Sequence, residues 1–130
     1  MTKPEQLLIK SADMETFEHT PGGSVRFAYG DQHGLGAVSV AMSDNPPGAG
    51  EGFVHRHPCA EVFVVHEGRG IYTVGDEVVV AEPGDMVFVP PNTWHSFRPD
   101  GDNCLRHVAV YDSGKVDIEL SSRPGERFDV

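Results

Sequence analysis

The stretch Gly70-Ile71-Tyr72-Thr73-Val74-Gly75-Asp76-Glu77-Val78-Val79-Val80-Ala81-Glu82-Pro83-Gly84-Asp85-Met86-Val87-Phe88-Val89-Pro90 decides the fold. Three short runs rich in β-branched residues are separated by two turns of nameable chemistry. Gly75-Asp76 places glycine at the first central position, which suits a type II′ hairpin. In Glu82-Pro83-Gly84-Asp85, proline presets the first central dihedral and glycine supplies the positive φ of a type II turn. Working outward, further short runs with turn residues between them predict strands over Val25 to Tyr29, Leu35 to Met42, Gly52 to His57, Glu61 to His66, Trp94 to Arg98, Leu105 to Tyr111 and Val116 to Leu120. These join Gly70 to Val74, Glu77 to Ala81 and Met86 to Val89. The segments Asn45 to Gly50 and Arg98 to Asn103 read as longer loops, and only Pro4 to Lys10 has any helical character, enough for one short turn. Short, evenly punctuated strands predict an all-β barrel or sandwich.

The chain has 130 residues, enough for one domain with a buried core and too few for two ordinary ones. The expected organisation is a single domain over 1–130, with an N-terminal extension over 1–24, a core over 48–111 and a C-terminal strand and tail over 112–130. Its 15 glycines and 10 prolines are scattered as turn punctuation and not gathered into a disordered tract. With 20 Asp and Glu against 10 Lys and Arg the formal charge is -10, which argues against nucleic acid or an anionic membrane as a partner. No export signal and no membrane-length apolar run is visible, so a soluble, cytoplasmic protein is expected. Cys59 and Cys104 form neither a disulfide framework nor a Cys-x-x-Cys motif and read as bystander thiols in a reducing compartment.

The residues that carry chemistry are His55, His57, Glu61 and His95. Side chains of a strand alternate faces, so the imidazoles of His55-Arg56-His57 project to one side. Pro58-Cys59-Ala60 makes a tight connection that returns Glu61 beside them. His95, after Pro90-Pro91-Asn92-Thr93-Trp94, opens a strand that can close over the same barrel mouth. Three imidazoles and one carboxylate suit a divalent first-row metal such as Fe, Mn, Ni, Cu or Zn, and disfavour calcium and magnesium. Octahedral coordination would leave two positions for water, oxygen or a chelating anion.

Taken together, His55-x-His57, then Glu61 and Gly68, resemble the first motif of the cupin superfamily, and Gly84 to Pro90 with His95 resemble the second. The gap of 15 residues between Gly68 and Gly84 is similar to that of compact microbial cupins. Three positions depart from the pattern: Ala49 and Asn92 stand where the motifs have glycine, and Pro99 where the second ends in asparagine. None removes a ligand, and Asn92 tolerates the left-handed conformation glycine would supply. The resemblance implies a cupin double-stranded β-helix, that is, a jelly-roll barrel in a small single-domain protein. It implies a metal-dependent enzyme acting on a small oxygen-rich anionic molecule, of dioxygenase type or of Lewis-acid isomerase, lyase or decarboxylase type. The alternative is a noncatalytic metal-containing module that binds a small ligand, or a sensor.

Around the ligands, Glu61 has a second candidate role as a detachable base, and Phe63 and Phe97 are candidate cavity residues by alternation. Arg98 and Arg106 are candidates for orienting an anion, although lone arginines are more often solvated surface charges. His19, His33, His66 and His107 read as packed or surface residues. Exposed barrel edges predict a homodimer.

Overall fold

A computed structural model describes residues 7–20, 22–48 and 50–121. Eleven strands occur among them: β1 (Glu15–Phe17), β2 (Ser24–Ala28), β3 (Ser39–Asn45), β4 (His55–Arg56), β5 (Glu61–Glu67), β6 (Gly70–Val74), β7 (Glu77–Ala81), β8 (Met86–Val89), β9 (His95–Pro99), β10 (Leu105–Tyr111) and β11 (Glu119–Leu120). They form a six-stranded sheet in the order β1-β2-β3-β10-β5-β8 and a five-stranded sheet in the order β11-β4-β9-β6-β7, with every pairing antiparallel. The non-sequential neighbours are those of a jelly-roll, in which closing two sheets over one core hides apolar faces that neither sheet could bury alone.

Both diagnostic turns form as their residues demand. Gly75 has φ +61° and is the only one of its hairpin's two central residues with positive φ, while Val74 pairs with Glu77. At the second turn Gly84 has φ +96° and the Asp85 amide donates to the Glu82 carbonyl at 2.9 Å. Asn92 takes the left-handed conformation at φ 57°, as its place before His95 requires.

Alternation along each strand then fills the space between the sheets. β5 buries Glu61, Phe63 and Val65, and β10 buries Leu105, His107, Ala109 and Tyr111. Phe63, Tyr72, Val89 and Leu105 are no more than 2% exposed and make the centre of the core.

Several expected strands differ at their ends. The run from Leu35 begins its ladder only at Ser39, because Gly36 has φ +72° and the Gly30 carbonyl gathers the amides of Gly34, Leu35 and Gly36 behind a one-turn helix, α1 (Gly30–His33). Likewise β4 and β11 keep only two laddered residues each of the longer runs expected around them. β1 was not expected: its three residues are all exposed and carry no alternation. Of the short turn expected over Pro4 to Lys10, the first three residues lie outside the described ones, and Leu8 to Lys10 are not helical.

Gly68 shows how tightly the β5–β6 connection is drawn: it has φ +79°, and a Cβ there would lie 1.9 Å from the Cys104 carbonyl oxygen. Gly101 also has positive φ, 69°, but with nothing within 4 Å. Gly101→Ala should therefore lose about 1 kcal/mol to backbone strain, and Gly68→Ala about 3 kcal/mol through strain plus a backbone clash. Denaturant unfolding of the two variants reads the difference, and equal losses would contradict the packing described.

Candidate metal centre

Three strands deliver the site, β4 with the residue after it, β5 and β9. His55 sits on β4 directly opposite His95 at the start of β9, and Glu61 opens β5 between Val89 and Tyr111. Arg56, between the two first histidines, points away from them: it lies 4.5 Å from the centre of the Trp94 ring and forms an ion pair with Glu119 at 2.9 Å. That outer clamp fixes β4 against β9 and β11, so the alternation sends His55 and His57 inward.

His55, His57, Glu61 and His95 each bring a ligand atom to one point, all four within 4.8 Å of one another. His57 Nε2 lies 2.9 Å and His95 Nε2 3.1 Å from Glu61 Oε1. Those spacings match the edge of a coordination polyhedron, roughly 3.0 Å for adjacent donors when metal–donor bonds are about 2.1 Å.

The other ring nitrogens explain what the point is for. Nδ1 of His55 faces the Phe53 carbonyl at 2.9 Å, Nδ1 of His57 the Cys59 carbonyl at 2.8 Å, and Nδ1 of His95 the Thr93 carbonyl at 2.7 Å. A carbonyl can only accept, so each Nδ1 carries the proton and donates it. In the neutral ring Nε2 is then a lone pair, and three lone pairs converge with a carboxylate. Acceptors facing acceptors repel; a cation among them turns every contact attractive. Backbone carbonyls that fix the ligating tautomer are what a histidine metal ligand ordinarily has behind it. The donor set therefore fits a divalent transition metal.

The ionisation of the cluster agrees. Burial alone would raise the Glu61 carboxyl, but its hydrogen bonds to His57 and His95 and their charge outweigh burial and hold it at about 2. Burial, reinforced by His95, lowers His55 to about 4. For His57 burial also lowers, yet hydrogen bonding and charge from Glu61 win and the net direction is up. In the metal-free protein the Glu61 contact thus calls for a proton where the ion would otherwise sit.

A cavity of about 330 Å3 opens onto His55 and Glu61. Phe63 and Phe97 both line it. So does Tyr111, which sequence reasoning missed; its ring stacks on His57 with centroids 5.3 Å apart, and burial, then the Glu61 charge, pushes its phenol well above the usual range. The signal was present: Tyr111 ends β10 in the same alternation that buries Ala109 and His107. His19 and His107 also line the cavity; His107 is packed at 2% exposure and His66 is on the surface, as expected of them. Neither arginine reaches it. Arg98 is exposed, and Arg106 bonds Asp44 at 2.7 Å and Glu67 at 2.8 Å on the surface. Cys59 is buried, its thiol pushed up by burial, and contributes to the cluster through its carbonyl.

Comparison with known proteins gives the site a setting. The family described as Cupin domain matches residues 41–111. Over 80 residues, 57% of this chain and 43% of the relative, the sequence is 35% identical to an acireductone dioxygenase of Methylococcus capsulatus. Over 71 residues, 55% of the chain and 46% of the relative, it is 37% identical to a 1-methylthio-D-xylulose 5-phosphate methylsulfurylase of Rhodospirillum rubrum. The chain thus spans less than half the length of these curated relatives. Among solved structures, oxalate decarboxylase from Bacillus subtilis superimposes with a TM-score of 0.75 at 20% identity, over 85% of this chain and 30% of that one. That likeness is one of fold.

The histidines also set the response of the metal-free protein to acid. His107, lowered by burial to about 3, binds its proton in the unfolded chain near 6.5 but not in the folded one, so stability falls as pH drops from 6.5 towards 3. Glu61, depressed to about 2 from 4.5, adds a loss of the same sign below 4.5. Between pH 6 and 5 the His107 contribution is a slope of up to about 1.4 kcal/mol per pH unit. Urea unfolding at stepped pH should show this slope in the wild type and a shallower one in His107→Phe; an unchanged slope would mean that the ring does not stay neutral.

Proposed function

The chain belongs to the Cupin domain family, and from that premise we propose that it is a metal-dependent enzyme acting on a small oxygen-bearing molecule, of dioxygenase type or of Lewis-acid isomerase and lyase type. One observation carries the proposal: three Nε2 lone pairs, each fixed by a backbone carbonyl behind it, converge with the Glu61 carboxylate. His55, His57, Glu61 and His95 would hold one divalent ion, Fe, Mn, Ni, Cu or Zn. Such an ion supplies Lewis acidity, and as iron or copper also electron transfer to oxygen. The similarity to a dioxygenase over more than half of the chain supports the oxidative type.

The chain's own groups then have separable tasks. Glu61 acts as a ligand and not as a base, because a carboxylate held at about 2 has little affinity for a proton near neutrality. Tyr111 keeps its phenol proton at any ordinary pH and donates it to the Glu61 carboxylate, which helps to orient that ligand. Phe63 and Phe97 wall the cavity and keep water out. An open cavity reaching His55 and Glu61 gives a small molecule access to the ligands, which an enzyme requires and a purely structural metal site does not.

We propose further that 1–130 works as one domain in the cytoplasm, consistent with two free cysteines and with no helix among the described residues long and apolar enough to cross a membrane. We also propose that it is a homodimer. Across β8, β5, β10 and β3 the outer face of the larger sheet carries two adjacent apolar rows, Phe88, Val62, Val110 and Val40 beside Met86, Val64, Val108 and Met42, with Arg26 of β2 at the end of the second. Phe88 is 59% and Met86 69% exposed, more than a solvated sheet face needs. A second copy of the same apolar face would cover it.

Two measurements test these statements. Elemental analysis of protein purified without chelator or metal-binding tag should give close to one transition-metal ion per chain, and His57→Ala should fall well below half of that while remaining folded by circular dichroism. Metal-free wild type, or full retention by the variant, would remove the metal centre. By light scattering after size exclusion the wild type should run at twice the chain mass and Phe88→Lys at the single mass. A monomeric wild type at high concentration would end the dimer proposal.

A further inference from the structure

The inner face of the larger sheet is a ladder whose rungs can be read from its register. Glu61 and Tyr111 form the rung at the metal cluster, Phe63, Ala109 and Ala41 the next, and Val65, His107 and Ser43 the third. Tyr111 and His107 are four positions apart on β10, so the third rung lies about 14 Å along the strand from the first at about 3.4 Å per residue. Ala109 and Ala41 are the small side chains between, and Phe63, Ala109, Ala41, His107 and Ser43 all line the cavity.

The third rung has hydrogen-bond donors with nothing to donate to. Asn45 Nδ2 donates to Ser43 Oγ at 2.8 Å and to the Leu105 carbonyl at 3.1 Å, which fixes the amide and leaves Asn45 Oδ1 to accept from His19 Nε2 at 2.5 Å. Ser43 Oγ is therefore an acceptor already, and among the described residues nothing accepts its own proton. From β6 in the facing sheet, the Tyr72 hydroxyl lies 2.7 Å from His107 Nδ1. A phenol is the stronger donor and an imidazole nitrogen the stronger acceptor, so Tyr72 donates and His107 carries its proton on Nε2. That Nε2 has no hydrogen-bond partner among the described residues, and His107 lines the cavity. His19 Nδ1 and Thr20 Oγ1 are sealed and take no part.

We infer that Ser43 and His107, a directly paired couple on β3 and β10, form a second subsite that receives an acceptor-only, uncharged oxygen, such as a ketone or amide carbonyl, at the end of the substrate remote from the metal cluster. Two donors side by side match the two lone pairs of one carbonyl oxygen. The occupant is uncharged because no lysine or arginine lines the cavity, Glu18 does, and the His107 ring is held neutral by burial. A carboxylate or phosphate there would be desolvated without a counter-charge. The inference rests on the metal-centre proposal for the near end of the substrate and extends it: an oxygen-chelating head, an apolar middle that passes Ala109 and Ala41, and a neutral carbonyl tail.

Three probes share a head and a spacer and differ only at the tail: 6-oxoheptanohydroxamic acid, 6-methylheptanohydroxamic acid and the monohydroxamate of adipic acid. Calorimetry on the metal-loaded protein should give the ketone about tenfold tighter binding than the methyl isostere, as one or two neutral hydrogen bonds provide, and the carboxylate the weakest of the three. Ser43→Ala and Tyr72→Phe should shrink the preference for the ketone to about twofold or less and leave the methyl probe unchanged. Equal binding of ketone and methyl probes, or tightest binding of the carboxylate, overturns the subsite while leaving the metal centre standing. Loss of metal-dependent binding for all three counts against the metal centre instead, and the subsite is then decided on metal-free protein by imidazole 15N spectra. There His107 should be protonated at Nε2 and shift with cyclohexanone but not with methylcyclohexane. Protonation at Nδ1, or the same response to both, overturns it.

Discussion

Like-natured groups forced together are the constraint on which this molecule is organised. Three Nε2 lone pairs and a carboxylate oxygen meet with each Nδ1 proton already committed to a backbone carbonyl. Moving any one imidazole outward would relieve the repulsion, and the fold prevents it. Arg56 is clamped on the far side of β4 by Trp94 and Glu119, His95 is tied to β4 by the ladder, and Glu61 is held between two neighbouring strands. A protein gains nothing from holding acceptors against each other unless a positive charge is to stand among them, so the rigidity of the frame and the chemistry of the centre are one fact.

Much of this was legible in the sequence because it is encoded over short distances. Gly75-Asp76 and Pro83-Gly84 specify their turns within four residues, and three strands around them come out with the expected ends. The ligands were legible for the same reason: His55 and His57 share a face by alternation, and only His95 needed a long-range partner. What could not be read is what depends on tertiary register. Alternation from Glu61 sends Val62 and Val64 of β5 outward, but it does not say what stands beside them. Pairing with Phe88, Met86, Val110 and Val108 decides that, and thereby makes the outer patch. Ser43 and His107 are 64 positions apart and become neighbours only through the β3–β10 ladder. β1 is exposed at every position and exists because β2 offers it an edge, a reason outside its own three residues.

The distribution of charge follows a consistent rule. The chain carries -10 in total, yet its described arginine ion pairs lie on the surface: Arg56 with Glu119, Arg69 with Asp100, Arg106 with Asp44 and Glu67. Inside, ionisable groups are either gathered at the cluster or kept neutral, as His107 and Tyr72 are by burial. A divalent ion with one carboxylate leaves the centre with a net charge of about +1, and with no competing cation in the cavity lining that centre is where an anionic oxygen gains most from binding.

Shape and polarity then act together along the cavity. A leucine at Ala109 or Ala41 would project into the cavity at the middle rung. Two alanines at one level leave room where a core would ordinarily close, and volume left open in a core costs stability in proportion to its size. Such a cost is sustained where a ligand recovers it. The position of the gap, between the metal cluster and a pair of unmatched donors, makes the opening a passage between two polar ends, and its apolar walls reject anything that would leave a charge stranded midway.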